Sequence, residues 1–267
     1  MNLKSKLLLA LLATSSAAFA QTAPAAPEVP EVTYNVGVVS QYRYRGLAQT
    51  KGDPALQGGV DYANANGFYL GTWASTIKWI KDASYASNAG GKEAKGPVEL
   101  DLYGGYKFEA AGIAYDVGYL RYEYVGNTYK DASPSATGNV NANTDEAYAA
   151  ATFGPATLKY SYAFSDLFGY SNSKGSSYLD LSATFDLGEG YSLVPHIGHQ
   201  KVKHLSTATN MGYTDIALTL NKDLGDGLSA SVAAIATTGN STDFIATSAA
   251  GYNTAKSTVV VGVKYAF

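Results

Sequence analysis

The stretch Ser257-Thr-Val-Val-Val-Gly-Val-Lys-Tyr-Ala-Phe267 decides the fold. Its odd-numbered positions from Val259 to Phe267 are all apolar or aromatic, whereas the even-numbered positions include a glycine and a lysine. Side chains alternate between the two faces of a strand, so this pattern predicts one broad apolar face. A closing strand with an aromatic end is typical of outer-membrane β-barrels. We therefore predict a transmembrane barrel, with Tyr265 and Phe267 as its assembly signal for the barrel-assembly machinery.

The first twenty residues have the layout of a secretory signal peptide. Lys4 and Lys6 precede an apolar run over 7–13, and a small-x-small motif ends at Ala20. The run is too short to cross about 30 Å of hydrocarbon as a helix. We predict a signal peptide over 1–20, an Ala/Pro-rich periplasmic tail over 21–30, and an outer-membrane barrel over 31–267.

Composition narrows the class of protein further. The chain has 22 tyrosines, 28 glycines and no cysteine, which excludes disulfides and thiolate metal sites. Its formal charge is −3, and removal of the two leader lysines leaves 17 basic and 22 acidic residues, a charge of −5. No basic tract favours nucleic acid as a partner. The expected partners are outer-membrane lipid and small hydrophilic solutes.

Alternation of polar and apolar residues recurs along the whole chain after the tail. Within each repeat, one parity is apolar or aromatic and the other carries polar and charged residues, as expected of a lipid face and a lumen face. Together the repeats predict about twelve strands. The clearest cover 32–45, 98–108, 156–164 and 179–187, and the others lie near 54–64, 67–76, 113–125, 145–153, 190–202, 213–222, 227–238 and 256–267.

The connections between these segments alternate between short and long. A soluble β-sandwich or propeller would also have many strands, but it would not explain this alternation, which is typical of short periplasmic turns and long outer loops. We predict an all-β, antiparallel up-and-down barrel with both ends on the periplasmic side. The short turns lie at 64–67, 109–112, 154–155, 188–190 and 223–227, and the long connections at 47–53, 77–96, 126–144, 166–176, 203–212 and 239–255.

Three motifs resemble the TorF family of porins from Gram-negative bacteria. They are Ser40-Gln-Tyr-Arg-Tyr-Arg-Gly46 followed by Gln49-Thr50, Pro54-Ala-Leu-Gln-Gly-Gly-Val-Asp-Tyr62, and Gly67-Phe-Tyr-Leu-Gly-Thr-Trp-Ala-Ser75. The stretch Val98-Glu-Leu-Asp-Leu-Tyr-Gly-Gly-Tyr106 is similar as well. The resemblance is specific over about residues 34–108 and looser beyond. It implies a channel in the outer membrane but names no solute.

Arg43 and Arg45 are the first candidate pore-lining residues. On the first predicted strand they occupy odd-numbered positions, which face the lumen. Tyr42 and Tyr44 occupy even-numbered positions, which face the lipid. If the first two strands form a hairpin around Thr50, Arg43 faces Gln57, Arg45 faces Ala55, Gly58 faces Tyr42, and Asp61 lies deeper on the lumen face. Arginines opposite carboxylates would create a transverse field that favours polar or charged solutes.

Further acidic residues face inward by parity. Glu99, Asp101 and Asp180 are counter-charges to the arginines or separate cation contacts. A twelve-stranded barrel encloses a slim lumen, so these charges either border a channel or pair with one another and fill it. Both alternatives remain open at this point.

The three histidines give no coherent metal or catalytic site. His196 and His199 have opposite parities on one strand, and His204 begins a loop, so two imidazoles cannot face one site. No signature of a nucleophile and base accompanies them. We therefore expect no enzyme activity, no cofactor and no metal. The main functional hypothesis is a channel for passive diffusion of small hydrophilic solutes; the alternative is a non-conducting barrel, structural or binding through its outer loops.

Overall fold

The computed structural model describes residues 30–84, 94–131, 140–203, 211–239 and 252–267. The predicted signal peptide and almost all of the predicted tail lie outside these residues. Within them, regular structure begins at Glu31 and is almost entirely β. No described helix is long and apolar enough to cross a membrane.

Strands follow one another along the described chain with one short helix between them. That helix is α1 (Trp79–Ser84), and a single 3-10 turn covers Tyr129–Asp131. The strands are β1 (Glu31–Val39), β2 (Arg43–Tyr44), β3 (Leu47–Ala48), β4 (Ala55–Ala63), β5 (Phe68–Thr76), β6 (Val98–Ala110), β7 (Ile113–Tyr124), β8 (Thr144–Phe153), β9 (Ala156–Ala163), β10 (Ser177–Ala183), β11 (Phe185–Gly188), β12 (Tyr191–Lys201), β13 (Tyr213–Gly225), β14 (Leu228–Thr237) and β15 (Thr258–Ala266).

The wall of the molecule is a closed antiparallel barrel of twelve strands. Neighbours along the chain pair with each other, β1 pairs with β15, and β10 pairs with β12. The short β11 continues β10 after Thr184 and also pairs with β12, so the two together count as one wall strand. Strands β2 and β3 pair only with each other, as a separate two-stranded sheet. The predicted all-β barrel of about twelve strands is confirmed.

Tight turns join the wall strands at one end of the barrel, as the sequence predicted. The connection between β6 and β7 has positive φ at Ala111 (52°) and Gly112 (75°), and the connection between β13 and β14 has positive φ at Asp226 (51°) and Gly227 (80°). Two consecutive positive φ angles define the type I′ hairpin turn, whose twist matches that of the flanking strands. The described parts of the longer connections leave the wall at the opposite end.

The two faces of the wall differ in polarity. On β15, Val259, Val261 and Val263 point outward and are more than half exposed, whereas Val260 and Lys264 point inward and are buried. Such outward apolar bands suit the hydrocarbon region of a membrane, and the barrel leaves no unpaired strand edge there.

Tyrosine rings lie over glycines on the lumen side of the wall. A Cβ built on Gly71 would lie 2.5 Å from the ring of Tyr103, its direct partner on β6. A Cβ on Gly118 would likewise lie 2.5 Å from the Tyr148 hydroxyl across the β7–β8 pair. The missing side chains give the rings room to lie flat along the wall and to reach partners within the lumen.

Candidate functional site in the barrel lumen

The chain leaves the wall after Val39 and rejoins it at Ala55, which is the direct partner of Val39 in the β1–β4 pair. The residues between them, 40–54, contain β2 and β3, and most of 42–50 is buried inside the barrel whereas 52–54 are exposed; we call 40–54 the inner hairpin. Arg45 and Gly46 form its turn with φ angles of 45° and 77°. Both angles are positive, as in a type I′ turn.

This arrangement corrects the predicted pairing of the first two strands. Gln57 pairs with Gly37 and Ala55 with Val39, so neither faces an arginine, and Gly58 lies opposite Val36 instead of Tyr42. The predicted first strand to Arg45 was therefore too long. Alternation continues through the two tyrosines, but the Arg-Gly turn reverses the chain inside the lumen.

The two tyrosines predicted at the lipid interface lie inside the barrel. Tyr42 is 2% exposed and Tyr44 is 7% exposed, so that prediction was wrong. Tyr42 donates a hydrogen bond of 2.6 Å from its hydroxyl to Glu99 Oε1 on β6. The hydroxyl of Tyr44 hydrogen-bonds that of Tyr122 on β7 at 2.6 Å. Both tyrosines thus connect the inner hairpin to the wall.

Arg45 carries the strongest contact of the inner hairpin. Its guanidinium donates to both carboxylate oxygens of Glu146 on β8, at 2.7 and 3.0 Å, and to Gln200 Oε1 on β12 at 2.8 Å. The rings of Tyr44 and Tyr178 lie 4.9 and 4.3 Å from the guanidinium carbon. The residue is 3% exposed. This is a buried, bidentate ion pair with two aromatic neighbours.

Arg43, on β2 of the inner hairpin, has a different role. It donates from Nε to Gln41 at 2.9 Å and from Nη1 to the carbonyl oxygens of Gly46 (3.1 Å) and Thr254 (2.8 Å). These bonds shape the hairpin and attach it to the segment before β15. The two arginines that the sequence treated as equivalent therefore bind different kinds of partner.

The tip of the inner hairpin reaches the opposite wall. A Cβ on Gly46 would lie 2.5 Å from Thr237 on β14 and 2.7 Å from Asp215 on β13, so only glycine fits this approach. Together with the contacts to β6, β7, β8 and β12, these place the hairpin across the lumen. The hairpin therefore spans the lumen at this level.

Gln57 and Asp61 lie on the lumen side of β4. Gln57 is half-buried and donates to Ser75 Oγ at 3.3 Å, and the buried Asp61 accepts a hydrogen bond from the Tyr103 hydroxyl. Their inward orientation follows the predicted parity. That they line a conducting path stays a prediction.

The two acidic candidates on β6 also face the lumen, directly under the inner hairpin. Glu99 and Asp101 are each 1% exposed. Glu99 accepts the hydrogen bond from Tyr42, whereas Asp101 Oδ1 has no hydrogen-bond partner among the described residues. A buried carboxylate oxygen without a partner is costly in a protein interior, so this part of the lumen is suited to a positive group.

The histidines are separated as the sequence predicted. His196 faces the lumen with its Nε2 3.1 Å from Asp180 Oδ2 and 3.5 Å from Asp215 Oδ2, whereas His199 is exposed on the outer face. His204 lies outside the described residues. In the part of the chain that the structure describes, no group of three or more His, Asp or Glu side chains could hold a metal ion.

The lumen wall has an excess of negative charge. Counting inward-facing side chains of the described wall strands that are buried or half-buried, carboxylates outnumber lysines by seven to three, a formal charge of −4 with His196 neutral. The inner hairpin adds Arg43 and Arg45, which reduces the excess to −2. The carboxylates are Asp61, Glu99, Asp101, Asp116, Glu146, Asp180 and Asp215, and the lysines are Lys107, Lys159 and Lys264.

An aromatic pocket of about 110 Å³ lies beside the inner hairpin, at the ends of β7 and β12. Trp79 packs there against Tyr124 and Tyr129, with ring centroids 5.2 and 5.5 Å apart. Burial raises the pKa of Tyr129 above its usual value, so its hydroxyl keeps its proton. None of the described residues around the pocket is charged; besides these three they include Tyr44, Phe168, Tyr213 and Gln200.

Sequence reasoning missed several residues of this site, above all Glu146 and Gln200. Glu146 follows Asp145 directly, so either carboxylate could have been the inward one. In the structure, Asp145 is the one of the two that lies on the outer face, where its Oδ1 is 2.9 Å from Nη1 of Arg121. A stricter count of parity along β8, in which Thr144, Glu146 and Tyr148 share the lumen face, could have identified it.

Comparison with solved structures shows which known proteins share the fold. A KdgM porin is 10% identical, with 90% of this chain and 99% of that chain covered and a TM-score of 0.50. A KdgM porin in complex with disordered oligogalacturonate has the same identity and coverage, with a TM-score of 0.51. The NanC porin is 10% identical over 88% of this chain and 99% of that chain, with a TM-score of 0.51. At this identity the likeness concerns the fold alone.

Comparison with sequences gives the family. The curated proteins contain no match. A family model described as "Bacterial protein of unknown function (Gcw_chp)" matches residues 22–267. The family model does not carry the TorF name, so the TorF resemblance stays a prediction. The match covers nearly the whole chain, which therefore belongs to the Gcw_chp family of bacterial proteins.

Proposed function

We propose that this chain forms a porin-like channel in the bacterial outer membrane, for passive diffusion of small hydrophilic solutes. The observation that carries the proposal is the inner hairpin, which lies in a polar, charged lumen without being part of the wall. A closed barrel with an apolar exterior and a polar interior is the architecture of diffusion channels. The fold shared with the KdgM and NanC porins supports this reading.

The pairing of β1 with β4 does not run through the inner hairpin. Val39 and Ala55 already pair across β1 and β4, and the hairpin forms a sheet of its own. Many of its contacts in the lumen are hydrogen bonds and one ion pair, which water can replace when the lumen fills. We infer that the structure represents the closed form and that withdrawal of the hairpin opens the path.

Conductance in planar bilayers tests this proposal. One protein is the native chain, and the other has residues 40–54 replaced by Asn-Gly, which suits a two-residue turn between Val39 and Ala55. We expect brief, infrequent openings from the native chain and a steady open current from the variant. Retained resistance to unfolding in cold detergent gels confirms that both are folded barrels.

The result that would overturn the proposal is a folded hairpin-free barrel that carries no current. That outcome would favour the second candidate function, a non-conducting barrel that is structural or binds through its outer loops, because the occluded lumen already fits such a role. A liposome swelling assay with neutral sugars of increasing size then measures which hydrophilic solutes pass through the open variant.

A further inference from the structure

The contacts of Arg45 have a consequence for the class of solute. We propose that the channel takes small organic cations, a guanidinium above all, and that Arg45 occupies their binding site in the closed form. This inference rests on the proposed channel function and names its substrate class. Its three supports are the surroundings of the Arg45 guanidinium, the charge of the lumen wall and the way into the site.

The Arg45 guanidinium lies in surroundings that would bind a free guanidinium equally well. Glu146 presents both oxygens to two N–H groups, which is the geometry that recognises this planar cation. Gln200 adds an amide oxygen at 2.8 Å, and the ring of Tyr178 lies 4.3 Å away. The carboxylate, the amide oxygen and the aromatic face all belong to wall strands, so the site remains when the hairpin leaves.

The charge of the wall favours a positive solute over a negative one. Without the inner hairpin, the described wall has seven inward carboxylates and three lysines. A net negative lining in a narrow, low-dielectric channel raises the local concentration of cations. Cations already lie on lumen rings elsewhere: Lys159 is 4.0 Å from the Tyr148 ring centroid and Lys107 is 5.1 Å from that of Tyr69.

A solute would reach this site through the aromatic pocket. Tyr44 and Gln200 border both the pocket and the Arg45 site, so the two are adjacent. The described residues around the pocket are uncharged and rich in aromatic faces, which attract organic cations without trapping them in an ion pair. A cation that displaces Arg45 from Glu146 releases the tip of the inner hairpin. Binding of the solute and opening of the channel are therefore coupled.

Replacing Arg45 empties the proposed site and permits a direct binding test. Arg45→Asn removes the guanidinium and places Asn-Gly in a type I′ turn, the sequence that this turn prefers. The matched control is Arg43→Asn, which removes the same charge but leaves Arg45 in the site. The probe is methylguanidinium chloride, titrated into each purified protein in detergent micelles and followed by calorimetry, with sodium chloride at matched ionic strength.

We expect methylguanidinium to bind Arg45→Asn at least about tenfold more tightly than it binds the native chain or the control, since charge-assisted hydrogen bonds of this kind are worth that much. Adding Glu146→Gln to Arg45→Asn should abolish the gain. Equal binding by Arg45→Asn and Arg43→Asn would overturn the inference, as would a gain that survives Glu146→Gln.

Currents separate this inference from the proposed function. In bilayers, methylguanidinium should reduce the potassium current through Arg45→Asn at concentrations that leave Arg43→Asn unaffected, and the reversal potential in a salt gradient should show cation preference. Absence of current in every folded variant would refute the channel while leaving the binding result to decide on the cation site. A conducting protein with anion preference would refute the cation inference alone.

Discussion

Substitution of Glu146 by Gln should release the inner hairpin without unfolding the barrel. The side chains of Arg45 and Glu146 are 4% and 2% exposed, so the pair is fully desolvated. Loss of one partner of a buried ion pair costs about 3–5 kcal/mol, because the other charge remains buried. Glutamine keeps one acceptor for Arg45, so the lower end of that range applies. Arg45 can also escape to water, so the cost destabilises the closed form alone.

A free-energy change of about 3 kcal/mol corresponds to a factor on the order of 100 in the ratio of closed to open hairpin. The chain has no cysteine, so a single cysteine introduced at the buried Ala48 reports this ratio. Ala48 also borders the aromatic pocket of about 110 Å³, so the reagent is a maleimide carried on a polymer too large for that pocket. Its reaction requires the hairpin to leave the lumen, and the rate follows the open fraction. We expect Glu146→Gln to accelerate labelling of Ala48→Cys by roughly that factor of 100.

Asp145→Asn is the matched control for this experiment. Asp145 precedes Glu146 on β8 but lies on the outer face, where it pairs with Arg121. Its neutralisation removes the same charge without touching the lumen, so labelling of Ala48→Cys should stay at the native rate. A labelling rate that Glu146→Gln leaves unchanged in a folded barrel would refute the idea that this ion pair holds the hairpin.

Three further outcomes follow from the same structure. Gly46→Ala places a Cβ 2.5 Å from Thr237, and overpacking of this kind costs about 1–3 kcal/mol; single-channel recordings should show longer openings. Deletion of Phe267 should lower the amount of protein in outer-membrane fractions, since we predict that assembly depends on it; normal insertion would contradict this. Replacing Arg43 and Arg45 together with Ala should move the reversal potential further toward cations, and an unchanged potential in a conducting variant would assign both arginines to structure alone.

The barrel could be predicted from sequence because one face of each wall strand contacts lipid and the other faces the lumen. Lipid outside favours an apolar side chain at every outward position of a wall strand, and Val259, Val261 and Val263 on β15 follow that rule. The positions of the turns could also be predicted from sequence, since consecutive positive φ angles require residues such as Asp226-Gly227. These constraints are local, so a single sequence is enough to reveal them.

The inner hairpin could not be predicted because tyrosine satisfies both environments. An aromatic ring with a hydroxyl suits the membrane interface, as at Tyr34 and Tyr265, and equally suits a hydrogen-bonded lumen, as at Tyr42 and Tyr44. Parity therefore gave the wrong side for the last two. The partners that decide the matter come from distant strands, and strand order alone does not reveal which side chains meet across a lumen.

The seam between β1 and β15 sets the order of events when the molecule folds. Residues near the two ends of the described chain pair there, so the lumen exists only once the last strand is in place. The hairpin residues Arg45 and Arg43 bind Glu146, Gln200 and Thr254, which follow them by 101, 155 and 211 positions. We therefore expect insertion of the inner hairpin to be the final step of folding. In an incomplete barrel Arg43 and Arg45 remain in water. A hairpin bound in the lumen therefore indicates that the wall has closed.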